Sequence, residues 1–302
     1  MLELTWDARR LVDLAGTLAP LRRGSGDPAH RVDGRGVFWW ACATPEGDAT
    51  IALASQSASV VAAQAWGGGA KWLLERVPTL LGETDDWSGL DVSAHPLLHE
   101  VRRRRQGLRL PRTGLVLDAL VPAILEQRVT GTEARRAWRA LLYRFGSIAP
   151  GPVSTMRVPP TARALLEIAA WDWHRLGVDG QRQRAIRAAA SVASPLEECA
   201  TMACSDAVAR LRIVPGVGAW TAAETAQRAL GHPDEVSVGD YHLKDVVVHF
   251  LTGRPRGDDA QMLRLLEPWA GHRQRVVRLI ELSGVSKPRF GPRLAPIDIR
   301  AI

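Results

Sequence analysis

Lysine is almost missing from this chain. Only Lys71, Lys244 and Lys287 occur among 39 basic residues, and all the others are arginines. Cysteine is equally scarce, with Cys42, Cys199 and Cys204 as the full set. An odd number without paired spacing excludes a disulfide framework. Three scattered thiols are also too few for a four-ligand zinc site or an iron–sulfur cluster, so all three are expected to be structural. No apolar run approaches the roughly 18 residues that span a bilayer. The opening residues, MLELTWDARR, carry acids early and lack the apolar centre of a secretory signal. The expectation is a cytoplasmic protein with no membrane partner. Internal repeats and low-complexity tracts are absent as well.

What is present points to two domains and a polyanionic partner. A chain of 302 residues exceeds the usual size of one domain. An apolar fraction of 46% is enough to build buried cores. The net charge of +7 is unevenly placed. Residues 1–100 hold 8 Lys/Arg against 13 Asp/Glu, a net of −5, whereas residues 101–302 hold 31 against 19, a net of +12. A basic domain joined to an acidic one fits a polyanion on the basic part. Solubility charge is the alternative on composition alone.

The first hundred residues mix strands and helices. Residues 36–43 form a β-rich run, 45–48 a turn, and 49–53 the returning strand of a hairpin. Residues 70–77 read as a short helix ended by Pro78, and 82–93 as a polar linker. From Pro96 onward the apolar spacing becomes helical. Helices are predicted over 117–127, 133–145, 161–173, 181–190, 196–203, 241–251, 258–266 and 272–282. The tail from Ser286 is rich in proline and arginine and is expected to be irregular. The expected fold class is mainly α with an α+β N-terminal domain. Residues 1–95 form the mixed β/α part and residues 96–302 the helical part, irregular tail included.

The most informative segment is SDAVARLRIVPGVGAWTA, residues 205–222. A short helix capped by Ser205 runs into Val214-Pro215-Gly216-Val217-Gly218. A second helix then covers 219–230 and stops at Gly231. Gly216 and Gly218 permit a tight turn and close backbone approach. The unpaired N–H groups opening the second helix make an anion site suited to a DNA phosphate. Such a contact positions the protein without reading sequence. Asp240 follows 22 residues after Gly218, within VSVGDYHLK, where another helix would begin. Helix-start N–H groups and the helix dipole favour its ionised form. An ordinary αα-hairpin and a plain helix cap are the structural alternatives.

Residues 211–222 resemble the hairpin of the helix-hairpin-helix DNA glycosylase superfamily. VSVGDYHLK resembles the catalytic aspartate motif of that superfamily at the spacing it uses. LVPAILEQRVT, residues 120–130, resembles the segment that closes a helix and supplies the residue filling the gap left by a flipped base. LGVDGQRQRA, residues 176–185, resembles the Leu-Gly linker before a basic helix. The resemblance covers roughly residues 96–285. The first hundred residues are similar to the mixed β/α domain that precedes this core in the 3-methyladenine DNA glycosylase II branch.

This resemblance implies a helix-hairpin-helix glycosylase core and a monofunctional glycosylase of base excision repair. Its substrate would be alkylated purines such as 3-methyladenine in double-stranded DNA, and it would act as a monomer at the nucleoid. Asp240 is then the catalytic carboxylate. Breaking an N-glycosidic bond builds positive charge on the sugar. A fixed carboxylate beside it stabilises that charge and orients or deprotonates the attacking water. Trp220 and Tyr241 are implied as base-pocket aromatics, suited to a flipped base and above all to a cationic one. Gln127, Arg128, Val214, Gly216, Gly218 and Thr221 are the implied DNA-binding positions, with Arg128 as the gap filler. Arg128 departs from the apolar wedge of the commoner alkyl-base enzymes, but a guanidinium can stack and hydrogen-bond. A solvated surface arginine is the alternative.

Glu224 stands where this branch can carry another aromatic and is read as an i,i+4 partner of Arg228, with a contact to the base as the alternative. Residues 278–282 also lack an expected pocket aromatic. Lyase-active relatives carry a lysine where Trp220 stands, which excludes Schiff-base chemistry at that position. No cofactor or catalytic metal is implied beyond a monovalent cation that the family admits at the hairpin. Two rivals remain: a glycosylase for an oxidised or deaminated base, and a non-catalytic binder of damaged DNA.

Overall fold

The computed structural model describes residues 1–288 together with 298 and 300. Most of the tail expected to be irregular lies outside the described residues. Five strands, β1 (Leu2–Asp7), β2 (His30–Val32), β3 (Phe38–Thr44), β4 (Gly47–Ser55) and β5 (Val60–Gly67), form an antiparallel sheet in the order β1-β5-β4-β3-β2. The β3–β4 hairpin pairs Trp40 with Ile51 and closes at Thr44 opposite Gly47. Successive side chains of a strand face opposite ways, and β3 uses both faces. Phe38, Trp40 and Cys42 enter a core shared with α1 (Leu14–Leu18), α2 (Ala70–Glu75) and α3 (Val77–Leu80). Trp39, Ala41 and Ala43 pack on the other side with Ala149, Met156 and Val158, around a small hairpin of β6 (Ser147–Ile148) and β7 (Arg157–Val158). A strand covered on both faces reads as a continuous apolar run.

The rest of the chain is helical and builds two further cores. The first gathers α5 (Val116–Leu125), α6 (Gly131–Phe145), α7 (Ala162–Glu167), α8 (Ala170–Arg175), α9 (Gly180–Ser191), α10 (Ala193–Glu197), α11 (Cys204–Ile213) and α12 (Ala219–Ala229), the helices being preceded in the chain by α4 (Pro96–Arg104). Helix α5 runs through its middle, with 8 of its 10 residues buried. A helix that is apolar on nearly every side belongs inside, and Asp118 is the exception in α5. The second core joins α4 to α13 (Leu243–Thr252), α14 (Asp259–Leu266) and α15 (Arg273–Leu282).

The segment over 82–93, expected as a polar linker, contributes Trp87, Leu90 and Val92 to this second core. Its polar majority hides three apolar anchors and a structural acid. Asp85 accepts from the Trp87 indole at 2.5 Å, from Leu110 N–H at 2.6 Å and from Arg275 Nε of α15 at 2.8 Å. The second core therefore draws on both sides of residue 95.

Several helix boundaries also differ from expectation: Pro78 lies in α3 rather than ending the helix before it, and the stretch 196–203 divides into the end of α10 and a 3-10 turn. The stretch 161–173 is broken by extended backbone at Ile168 and Ala169 into α7 and α8. Helix α11 starts at Cys204 with Ala203 as N-cap, so Ser205 lies inside the first turn and caps nothing.

Candidate active site

Helices α11 and α12 meet at Val214-Pro215-Gly216-Val217-Gly218. Val214 is buried in the first core, and its carbonyl accepts from Val217 N–H at 3.0 Å to close the turn. Gly216 has φ +88°, and a Cβ there would lie 2.6 Å from the Ala185 Cβ of α9. Backbone conformation and packing both require glycine. Gly218 caps α12 in extended conformation, and a Cβ there would meet nothing within 4 Å. The approach to this helix end is open. The first N–H groups of α12 have no intrahelical acceptor, so the end favours an anion. Thr221 is buried in the same first turn. The Val214 and Gly216 carbonyls each accept one hydrogen bond and keep a second lone pair, which would suit them to hold a monovalent cation.

The loop after α5 is stitched to this hairpin. Gln127 Nε2 donates to Gly216 O at 2.9 Å and to Thr221 Oγ1 at 2.8 Å. The preceding Glu126 accepts from Arg23 Nη1 at 3.0 and 3.1 Å. Buried Arg182, from the LGVDGQRQRA segment, donates to Leu125 O at 2.9 Å. On the far side Thr130 and Glu133 form a capping box that opens α6. Between these ties Arg128 is exposed and has φ +54°. Left-handed backbone costs a residue with a Cβ about 1–2 kcal/mol. The surrounding ties hold Arg128 in it, with the side chain at the surface.

Asp240 sits in the turn before α13. Its Oδ1 accepts from the backbone N–H groups of His242 at 2.7 Å and Leu243 at 2.8 Å. Its Oδ2 accepts from the Trp220 indole Nε1 at 3.3 Å. The carboxylate thus joins the first turn of α12 to the start of α13, and stays partly open to solvent. Tyr241 is 70% exposed and meets the His242 ring edge-on at 4.8 Å. The physical reason is the turn itself. When Asp240 reaches over to the next two N–H groups, the residue between is left at the outer corner.

A cavity of about 230 Å³ opens beside Asp240, between α12 on one side and α13 and α15 on the other. Neither Trp220 nor Tyr241 is in its lining, and its walls mix polar side chains with apolar ones such as Leu243, Val246 and Val277. From α12 come Glu224, Gln227 and Arg228, and from α15 come Gln274, Arg278 and Glu281, with Pro20 of the N-terminal part closing one edge. Glu224 is held on both oxygens. Arg228 Nη1 lies 2.8 Å from Oε2, and Ser237 Oγ donates to Oε1 at 2.5 Å. Gln227 Nε2 donates to Ser237 Oγ at 3.0 Å, and Arg228 Nε donates to Pro20 O at 2.9 Å. Arg278 pairs with Glu281 and donates to Gly16 O at 3.1 Å. Glu224 is therefore both the partner of Arg228 and part of the cavity wall. Sequence reading missed Gln227, Ser237 and Gln274. The only signal for the α15 wall is the spacing 274, 277, 278, 281, one helical stripe that mixes polar and apolar residues.

No family model matches the chain. A protein of Mycobacterium tuberculosis named "Probable bifunctional transcriptional activator/DNA repair enzyme AlkA" is 31% identical over 157 residues, covering 51% of this chain and 31% of that protein. The match thus spans about a third of the length of that curated relative. Among solved structures, 3-methyladenine DNA-glycosylase from Archaeoglobus fulgidus superposes with a TM-score of 0.76 at 15% identity, over 93% of this chain and 98% of that one. An 8-oxoguanine glycosylase/lyase from Clostridium acetobutylicum, bound to double-stranded DNA, gives 0.67 at 12% identity over 92% and 96%. A 3-methyladenine DNA glycosylase of Schizosaccharomyces pombe, bound to abasic DNA, gives 0.52 at 18% identity over 67% and 97%. At these identities the likeness is one of fold. That fold is mainly α, with an antiparallel N-terminal sheet and a helix-hairpin-helix core, and it is the fold of DNA glycosylases.

Proposed function

We propose that this chain, with its helix-hairpin-helix DNA glycosylase fold, is a monofunctional glycosylase that removes alkylated purines from double-stranded DNA. The observation that carries this reading is the fixed carboxylate of Asp240 at a cavity of about 230 Å³, next to a helix end open to phosphate. The M. tuberculosis relative, named as a DNA repair enzyme, adds support.

In this reading the hairpin grips the backbone, and Gln127 and Arg128 occupy the gap left when the damaged nucleotide turns out into the cavity. The base leaves with the electron pair of the glycosidic bond. Asp240 stabilises the cationic character of the sugar. Water oxygen then bonds to C1′, and its proton passes to Asp240 or to solvent. A purine made cationic by alkylation leaves as a neutral base, so no acid is needed to protonate it. The carboxylate of Asp240 at the cavity suits such a cation, whereas Glu224 and Glu281 are each paired with an arginine.

A lyase step needs an amine. None of the three lysines lines the cavity, and Trp220 stands in the first turn of α12. Lys71 lies 3.8 Å from Glu75 on α2, and Lys287 pairs with Asp245. A second reading, excision of an oxidised or deaminated base, draws on the polar groups in the cavity wall, among them Gln227, Ser237 and Gln274. The deciding experiment is free-base release from duplex DNA treated with dimethyl sulfate, with borohydride trapping in parallel. Release of methylated purines without a trapped adduct is expected. Release of only oxidised or deaminated bases from a lesion panel would move the reading to the second one, and a robust adduct would refute the monofunctional mechanism.

A further inference from the structure

Gln274 is 4% exposed, lines the cavity beside Asp240, and its Oε1 is buried without a hydrogen-bond partner. Its backbone N–H is tied to Pro233 O at 3.0 Å, which fixes the residue at the start of α15. An orphaned buried acceptor is destabilising in the free protein. A fold retains such a group at a functional site when a ligand supplies the missing partner. The rest of the cavity points to what that partner carries. Glu224 faces the same space with its orientation set by Arg228 and Ser237, and Glu281 stands one α15 stripe away. Both glutamates are paired with arginines of the same wall, Arg228 and Arg278, so the unneutralised negative charge at the cavity is that of Asp240, and of rings the lining holds the His242 imidazole.

We infer that Gln274 is a specificity-determining residue that reads the exocyclic amino group of a cationic purine, with the Asp240 carboxylate providing the negative charge beside it. The inference rests on the glycosylase reading and adds to it the basis of substrate choice. A site built to bind one N–H donor rejects the analogue that lacks it, because the buried acceptor is then left unpaired. Amino purines methylated on the ring should therefore be released, and their oxo counterparts discriminated against.

The test uses the full chain and two pairs of methylated bases in otherwise identical duplexes. One pair is 7-methylguanine and 7-methylhypoxanthine, which differ only in the 2-amino group. The other is 3-methyladenine and 3-methylhypoxanthine, which exchange the 6-amino group for an oxo group. In at least one pair the wild-type protein should release the amino base roughly tenfold faster or more, measured as kcat/KM. Gln274→Met and Gln274→Leu should shrink that ratio to within about threefold, by slowing release of the amino base alone. Their melting temperatures should be unchanged or higher, since no protein partner of Oε1 is lost. A purely structural glutamine would give the opposite pattern, lower stability with an unaltered ratio. Equal rates within both pairs for the wild type, or ratios untouched in both variants, overturn the inference while leaving the glycosylase reading standing. No release of any of the four bases would remove the glycosylase reading and this inference with it.

Discussion

Trp220 donates its indole N–H to Oδ2 of Asp240 across 3.3 Å, while Oδ1 is taken by the N–H groups of His242 and Leu243. Both ends of the carboxylate are therefore fixed before any substrate arrives, which is the condition for electrostatic stabilisation without reorganisation. Trp220→Phe keeps most of the ring and removes the donor. A hydrogen bond to a charged group is worth about 1.5–3 kcal/mol when buried, and this one is partly exposed, so about a tenfold loss in single-turnover base release is expected. The melting temperature should barely move. An unaltered rate would show that the indole does not position Asp240.

Asp240→Asn tests the carboxylate itself. The asparagine oxygen can still accept from His242 and Leu243, so the cap survives and stability should fall by no more than about 1 kcal/mol. The negative charge is lost, and loss of one preorganised partner typically costs roughly 10²–10³ in rate. Affinity for lesion DNA should be kept or rise, because a carboxylate near phosphates is repulsive. Single-turnover base release, thermal melting and DNA binding measured together decide the matter. Full activity in a folded Asp240→Asn protein would refute the mechanism.

Much of this architecture is legible in the sequence where local rules decide. Gly216 is marked by its Gly-x-Gly turn and required by a positive φ and by Ala185, and the apolar helical spacing of 117–127 marks α5. What is not legible comes from long-range contact. Gln274 is 34 residues from Asp240 and belongs to no motif, so only the packing of α15 against α12 and α13 brings it to the cavity. Asp85 and Trp87 look like linker residues until Arg275, 190 positions away, closes on the aspartate. The resemblance implied aromatic walls at Trp220 and Tyr241. The turn geometry at Asp240 instead leaves Tyr241 at the surface, a choice made by side-chain capping and invisible in the residue types alone.

Arg128 offers a separation of stability from function. Its φ of +54° is unfavourable for any residue with a Cβ and free for glycine. Arg128→Gly should relieve the strain, offset in part by the greater freedom of glycine in the unfolded chain, and leave the melting temperature equal or slightly higher. Base release should nevertheless fall, since no side chain remains to fill the gap in the helix. Arg128→Ala keeps the strain and loses the guanidinium, so its activity should match that of the glycine variant. Wild-type activity in both variants would make Arg128 a solvated surface residue.

Asp118, in the first turn of α5, gives the fold a pH dependence of known sign. Burial is the main cause and pushes its carboxyl up to about 6, with His30 pulling it down and Glu197 and Asp27 pushing it further up. Asp27 itself is lowered: burial works against its ionised form, and His30 and hydrogen bonds from Arg23 N–H and Trp138 outweigh that. In the unfolded chain Asp118 returns to the ordinary aspartate value near 3.9. Between these two values the folded state binds the extra proton, so stability falls as pH rises. The contribution is fully present below about pH 4 and is lost by the time pH passes about 6, where the folded protein carries a buried charge. Asp118→Asn removes that charge and keeps the shape. Relative to wild type it should raise the melting temperature at pH 7.5, and the gain should shrink steadily toward pH 4.5. Comparing the two proteins at each pH cancels the titrations that Asp118 does not influence. A difference that stays flat across this range would mean that Asp118 is ionised at ordinary pH without cost and that its surroundings are wetter than the packing around α5 implies.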